Sequence, residues 1–231
     1  MILQSNNMDY KNTYDIVILT TACSRSRLHT QVLSNIPEFL SGYKCKWIIR
    51  IDQVLGEEVE LTVNNFNKIL LADNIDLSIH ISGNTASSKS WFTSVKFCIN
   101  EGYKYKPNLG YFWLEDDWSQ ISTNTLKEVI EYRVPELPSN NFFISFAGRN
   151  VLNFNPGIWS RDMYCKYMYN KINNITIHDQ YYSNPERACT YTSNRRSEPT
   201  DGINMFSFNV FSDVGRKWAA DNLQGKRTFH L

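Results

Sequence analysis

Hydrophobic positions along the first half of the chain fall into short continuous runs separated by stretches with helical spacing. Tyr14–Thr20 (YDIVILT) and Lys46–Ile51 (KWIIRI) are apolar without alternation, the pattern of strands buried on both faces. Leu77–Ser82 alternates and predicts a third strand, closed by Gly83-Asn84, and Gly110–Leu114 (GYFWL) predicts a fourth. Between them, Leu28–Leu40 and Glu58–Leu71 predict helices, the second with Val59, Val63, Phe66, Ile69 and Leu70 on one side. A further helix runs through Trp91, Val95, Cys98 and Ile99. Strands alternating with helices at this spacing imply right-handed βαβ units and a mainly parallel sheet flanked by helices, an α/β fold.

The second half is less regular. It predicts a helix over Ser122–Tyr132, a break at Val134–Ser139, a strand over Asn141–Phe146 and a loop over Asn153–Trp159. A helix over Arg161–Tyr169, a long polar connection His178–Arg196, a strand at Phe206–Phe211 and a helix near Asp213–Asn222 follow. With no repeat, low-complexity stretch or linker in its 231 residues, the chain reads as a single domain.

Parallel sheets hold ligands at the carboxyl ends of their strands. Thr20–Arg27, Asp52, Gly83–Lys89 and Glu115–Asp117 are all expected there. Three adjacent carboxylates after a buried strand are costly unless a positive charge compensates them, and Mg²⁺ or Mn²⁺ is a natural partner because it prefers oxygen ligands. Alternate residues of a turn can face one ligand, so Glu115 and Asp117 form a pair from which Asp116 points away. An isolated acidic triplet reads better as a solvated turn or a helix N-cap; the aromatic strand before it and Trp118 after it favour the functional reading.

Composition narrows the classes. The net charge is +1 and no basic run exceeds Arg195-Arg196, which argues against a nucleic-acid binder. No apolar stretch is long enough to span a membrane, and the polar start of the chain does not read as a signal peptide. Five scattered cysteines without a CxxC pattern argue against structural zinc and a disulfide framework, and lead to the expectation of a reducing, cytoplasmic setting.

The segment Phe112–Trp118 (FWLEDDW) resembles the DxD signature of GT-A-fold, family-2-like glycosyltransferases, with Glu in the first acidic place. The resemblance implies a GT-A-like (Rossmann-like) fold in which residues 1–120 bind a nucleotide sugar and residues 121–231 the acceptor. It implies Mn²⁺ or Mg²⁺ on Asp117 and Glu115, with Glu115 and Asp116 also beside the donor. Thr20–Leu28 is similar to the family's TxxR..L entry loop, which puts Thr20 near the nucleotide and Arg25 or Arg27 near its diphosphate; the alternative for the two arginines is a solvated first helical turn. Asp52 resembles the acid that accepts from the base; the alternative is a turn former. Lys89, at the start of a helix, resembles a phosphate-facing lysine; the alternative is an exposed one.

In the acceptor half, Trp159 stacks on a pyranose face or anchors the core. Asp179 and Glu186 are candidates for the base that an inverting transferase needs, or are surface acids. His230 is a candidate third metal ligand, as in some GT-A enzymes, or a tail residue. His29, His80 and His178 have no partner at ligand spacing and read as structural. The expected activity is metal-dependent transfer of a sugar from a UDP- or GDP-sugar to a glycan, protein or small acceptor. The alternatives are a nucleotidyltransferase, disfavoured by the absence of glycine from Thr20–Leu28, and a non-catalytic glycan-binding or assembly protein on the same scaffold.

Overall fold

The computed structural model describes residues 13–54, 59–134, 136–138, 140–148, 152, 154–175, 185 and 203–215. Nine strands and their helices follow in order: β1 Ile16–Cys23, α1 Ser26–Leu33, α2 Ile36–Phe39, β2 Cys45–Gln53, α3 Val59–Ile69, β3 Ile75–Thr85, α4 Ser88–Tyr103, β4 Gly110–Trp113 and β5 Trp118–Gln120. They continue with α5 Leu126–Arg133, β6 Phe142–Ser145, β7 Gly157–Trp159, α6 Arg161–Met163, a π-helical segment Tyr164–Tyr169, α7 Asn170–Asn174, β8 Asn204–Ser207 and β9 Phe211–Asp213.

Seven strands form one sheet in the order β3-β2-β1-β4-β7-β6-β8, and β5 pairs with β9 in a separate ribbon. β3, β2, β1 and β4 are mutually parallel, β7 is antiparallel to both β4 and β6, and β8 is parallel to β6. The α/β class with a mainly parallel, helix-flanked sheet is thus observed.

The continuous apolar runs have a direct cause in the two cores. Successive strand residues point to opposite faces. Ile16 and Ile18 of β1 and Phe112 of β4 therefore join one core with Leu28, Val32, Phe39, Phe66 and Val129. Val17, Leu19, Tyr111 and Trp113 join the other with Val95, Cys98, Ile99, Tyr164 and Met168. Since helices cover both faces, neither set can be polar.

Several expectations are corrected. The helix over Leu28–Leu40 is two, α1 and α2, with Pro37 in the first turn of the second, where a missing N–H costs nothing. Gly83-Asn84 lies inside β3 instead of closing it. The loop over Asn153–Trp159 contains β7, inserted between β4 and β6. Its three residues are fully enclosed, too short a run for periodicity to detect. The strand at Phe206–Phe211 is split between β8 and β9, and β5 was not foreseen. The connection His178–Arg196 lies outside the described residues apart from Pro185, as does the helix near Asp213–Asn222 beyond Gly215.

Candidate functional site

β1, β2 and β4 lie side by side, so their carboxyl ends bring Cys23–Arg25, Asp52 and Glu115–Asp117 to one edge of the sheet. Asp116 is its interior hub. Only 3% exposed, its Oδ1 accepts from Arg25 Nη2 at 2.7 Å, and its Oδ2 accepts from the Cys23 amide at 3.0 Å and His29 Nε2 at 2.8 Å. Burial alone would raise this carboxyl's pKa. The Arg25 charge and the His29 and Cys23 hydrogen bonds outweigh it and hold the pKa down at about 2. Arg25 and His29 are one helical turn apart at the start of α1, so both side chains reach the same acid. His29 also stacks on Phe66, with ring centroids 4.5 Å apart.

Asp117 sits differently. Its side chain is 19% exposed, and its Oδ2 is 4.0 Å from Arg25 Nη2. Its backbone carbonyl accepts from the Val214 amide at 2.9 Å, just beyond the point where β9 pairs with β5 through Asp213 and Trp118. Glu115 is partly exposed. The turn therefore divides its acids, with Asp116 enclosed and Glu115 and Asp117 partly exposed.

The other candidates fall as follows. Thr20 is not in a loop, because β1 continues to Cys23; it is fully buried, donating to Leu114 O at 2.5 Å and accepting from Trp47 Nε1 at 2.9 Å. Arg25, expected to face a diphosphate, is 3% exposed and turned to Asp116. Asp52 lies within β2, 3% exposed, and accepts from Ser94 Oγ of α4 at 2.8 Å. Its carbonyl accepts from the Ser24 amide at 3.0 Å, and Ser24 Oγ accepts from Val54 N at 2.7 Å, which stitches β1 to β2. Trp159 is fully buried, 4.6 Å from Phe143 between ring centroids, so it anchors the core. The side chains of Arg27 and Lys89 lie outside the described part, as do Asp179, Glu186 and His230 entirely.

Sequence reasoning missed the Cys23 amide, Ser94 and the tie between His29 and Asp116. His29, read as structural with no partner at ligand spacing, is fully buried and bonded to Asp116. The available signal was the Arg25/His29 spacing at the head of a helix that follows a strand.

A divalent cation would find oxygen donors of the right chemistry in Asp117 and Glu115. Among the described residues, however, no group of three His, Cys, Asp or Glu is placed to hold a metal. Two protein carboxylates would suit a cation that took its other oxygen ligands from a phosphate group and water. Also among the described residues, no helix is long and apolar enough to cross a membrane.

No protein-family model matches the sequence, and no curated protein shows sequence similarity to it. Among solved structures, the chain is similar to S. aureus TarS at 10% identity and a TM-score of 0.48, covering 85% of this chain and 36% of that one. It is also similar to S. aureus TarS 1-349 in complex with UDP-GlcNAc, at 10% identity and a TM-score of 0.42, covering 87% of this chain and 60% of that one. The chain thus spans less than two thirds of the length of either structure it matches.

Proposed function

We propose that the chain is a nucleotide-sugar glycosyltransferase that uses a divalent cation, Mn²⁺ or Mg²⁺, at Asp117 and Glu115. The observation carrying this reading is the division of labour in the acidic turn. Asp116 is neutralised from within by Arg25, while its two neighbours keep partial exposure at the ligand-binding edge of a parallel sheet.

In this reading the bound cation neutralises the diphosphate leaving group. The protein's own part is to orient Asp117 and Glu115; Asp52, 3% exposed and bonded to Ser94, stays inside β2. Transfer breaks the bond between the anomeric carbon and the diphosphate oxygen, whose electron pair leaves with the diphosphate. A bond from the acceptor oxygen forms, and its proton passes to a base. Asp179 and Glu186 remain the candidates for that base if the sugar is inverted. Residues 1–120 carry the donor, a UDP- or GDP-sugar, and residues 121–231 the glycan or protein acceptor. Arg25 supports the acids from behind, which leaves Arg27 and Lys89 as the candidates for direct phosphate contact.

Titration calorimetry with UDP and with GDP, each with and without Mn²⁺, tests the reading. Mn²⁺-dependent binding of one nucleotide is expected, lost in Asp117→Ala. Unchanged metal-dependent binding in that variant would show that the centre lies elsewhere. Binding of glycans without any nucleotide would favour the non-catalytic alternative.

A further inference from the structure

Gly215 is buried, yet its backbone lies outside the left-handed region, so conformational freedom is not the reason for a glycine there. Space is. A Cβ at this position would lie 2.1 Å from Asp117 Oδ2, 2.6 Å from its Cγ and 2.8 Å from its Cβ. Rotating the Asp117 side chain can move the first two atoms away but not the third, so any larger residue must shift backbone as well. The same Oδ2 is 4.0 Å from Arg25 Nη2 on another side. The neighbouring Val214 amide bonds the Asp117 carbonyl at 2.9 Å, and β9 pairs with β5 directly after the turn.

We propose that Gly215 is a positioning residue that seats Asp117, making Val214 and Gly215 part of the support of the cation site. The inference rests on the reading that Asp117 holds the cation. It adds that the carboxylate's orientation is set from residues almost a hundred positions later in the chain, as well as by Arg25.

The test is a double-mutant cycle of Gly215→Ala and Asp117→Gly, read both by melting temperature without ligand and by UDP affinity in Mn²⁺. Gly215→Ala alone is expected to lower the melting temperature by several degrees and to weaken Mn²⁺-dependent UDP binding by about tenfold or more, as for other groups that orient a metal ligand. In the Asp117→Gly background, the thermal effect of Gly215→Ala should largely vanish, because the colliding side chain is gone. If Gly215→Ala is too unstable to purify, recovery of a folded protein in that background supports the seat equally. Additive thermal effects, or a Gly215→Ala protein that binds UDP and Mn²⁺ like the wild type, would overturn it. Should the wild type bind no nucleotide while the thermal coupling persists, the functional reading fails and the steric seat stands.

Discussion

Asp116 and Asp117 are neighbours in sequence with opposite physical situations, and most of the chemistry of this site follows from that difference. Asp116 receives three donors in a dry setting, so losing one partner leaves buried polar groups unmatched. Asp116→Asn removes the nearer of the two carboxylates beside the buried Arg25, leaving Asp117 at 4.0 Å, and should destabilise the fold by about 3–5 kcal/mol, measurable by urea unfolding. Because the folded-state pKa of Asp116 is held at about 2, below its ordinary 3.8, its contribution is complete above about pH 4. It is lost as pH falls from about 4 through 2. Unfolding free energies across that range should therefore drop for the wild type and show a weaker pH dependence in Asp116→Asn. Equal pH dependence in the wild type and Asp116→Asn across that range would mean that the carboxyl's pKa is the same folded and unfolded.

At the scale of elements, the site depends on where strands and helices begin. The α4 helix, which carries Ser94 to Asp52, starts with a capping box. Ser87 Oγ accepts from the Ser90 amide at 3.1 Å, and Ser90 Oγ accepts from the Ser87 amide at 2.8 Å. Ser87→Ala should cost about 1 kcal/mol in urea unfolding. At the end of β4 away from the site, glycine at residue 110 lets β7 lie close. A Cβ there would meet Trp159 O at 2.4 Å, a backbone atom that cannot swing aside. Gly110→Ala should therefore destabilise by about 1–3 kcal/mol, with loss of protection in the β7 amides by hydrogen exchange. β1, β2 and β4 were legible as elements because their apolar runs are local. β5 and β7 were not, since three-residue strands carry no periodicity and exist only through their partners.

At the scale of the molecule, the seven-stranded sheet crosses the division between residues 1–120 and 121–231, because β4 pairs with β7. Phe39, Phe112, Phe146 and Phe211 form one aromatic cluster, with Phe39 ring centroids 6.4, 6.0 and 5.3 Å from the other three. Phe211 opens β9, so the cluster also ties the small ribbon and its acidic turn to the main sheet. Phe39→Ala should cost about 3–5 kcal/mol and lower stability without splitting the urea transition. Two separate transitions would mean that the halves fold independently.

The sequence by itself determined the α/β class, the parallel run of strands and the edge at which the polar residues gather. Those properties follow from burial of neighbouring positions, which periodicity reports directly. It also marked the acidic turn. Alternation set Asp116 apart from Glu115 and Asp117, but only the tertiary structure showed that it is the enclosed one. Its partners Arg25 and His29 lie 91 and 87 residues away in sequence, and Asp117 packs against Gly215 beyond β9. Such pairings set charge and orientation through space, and no local pattern records them.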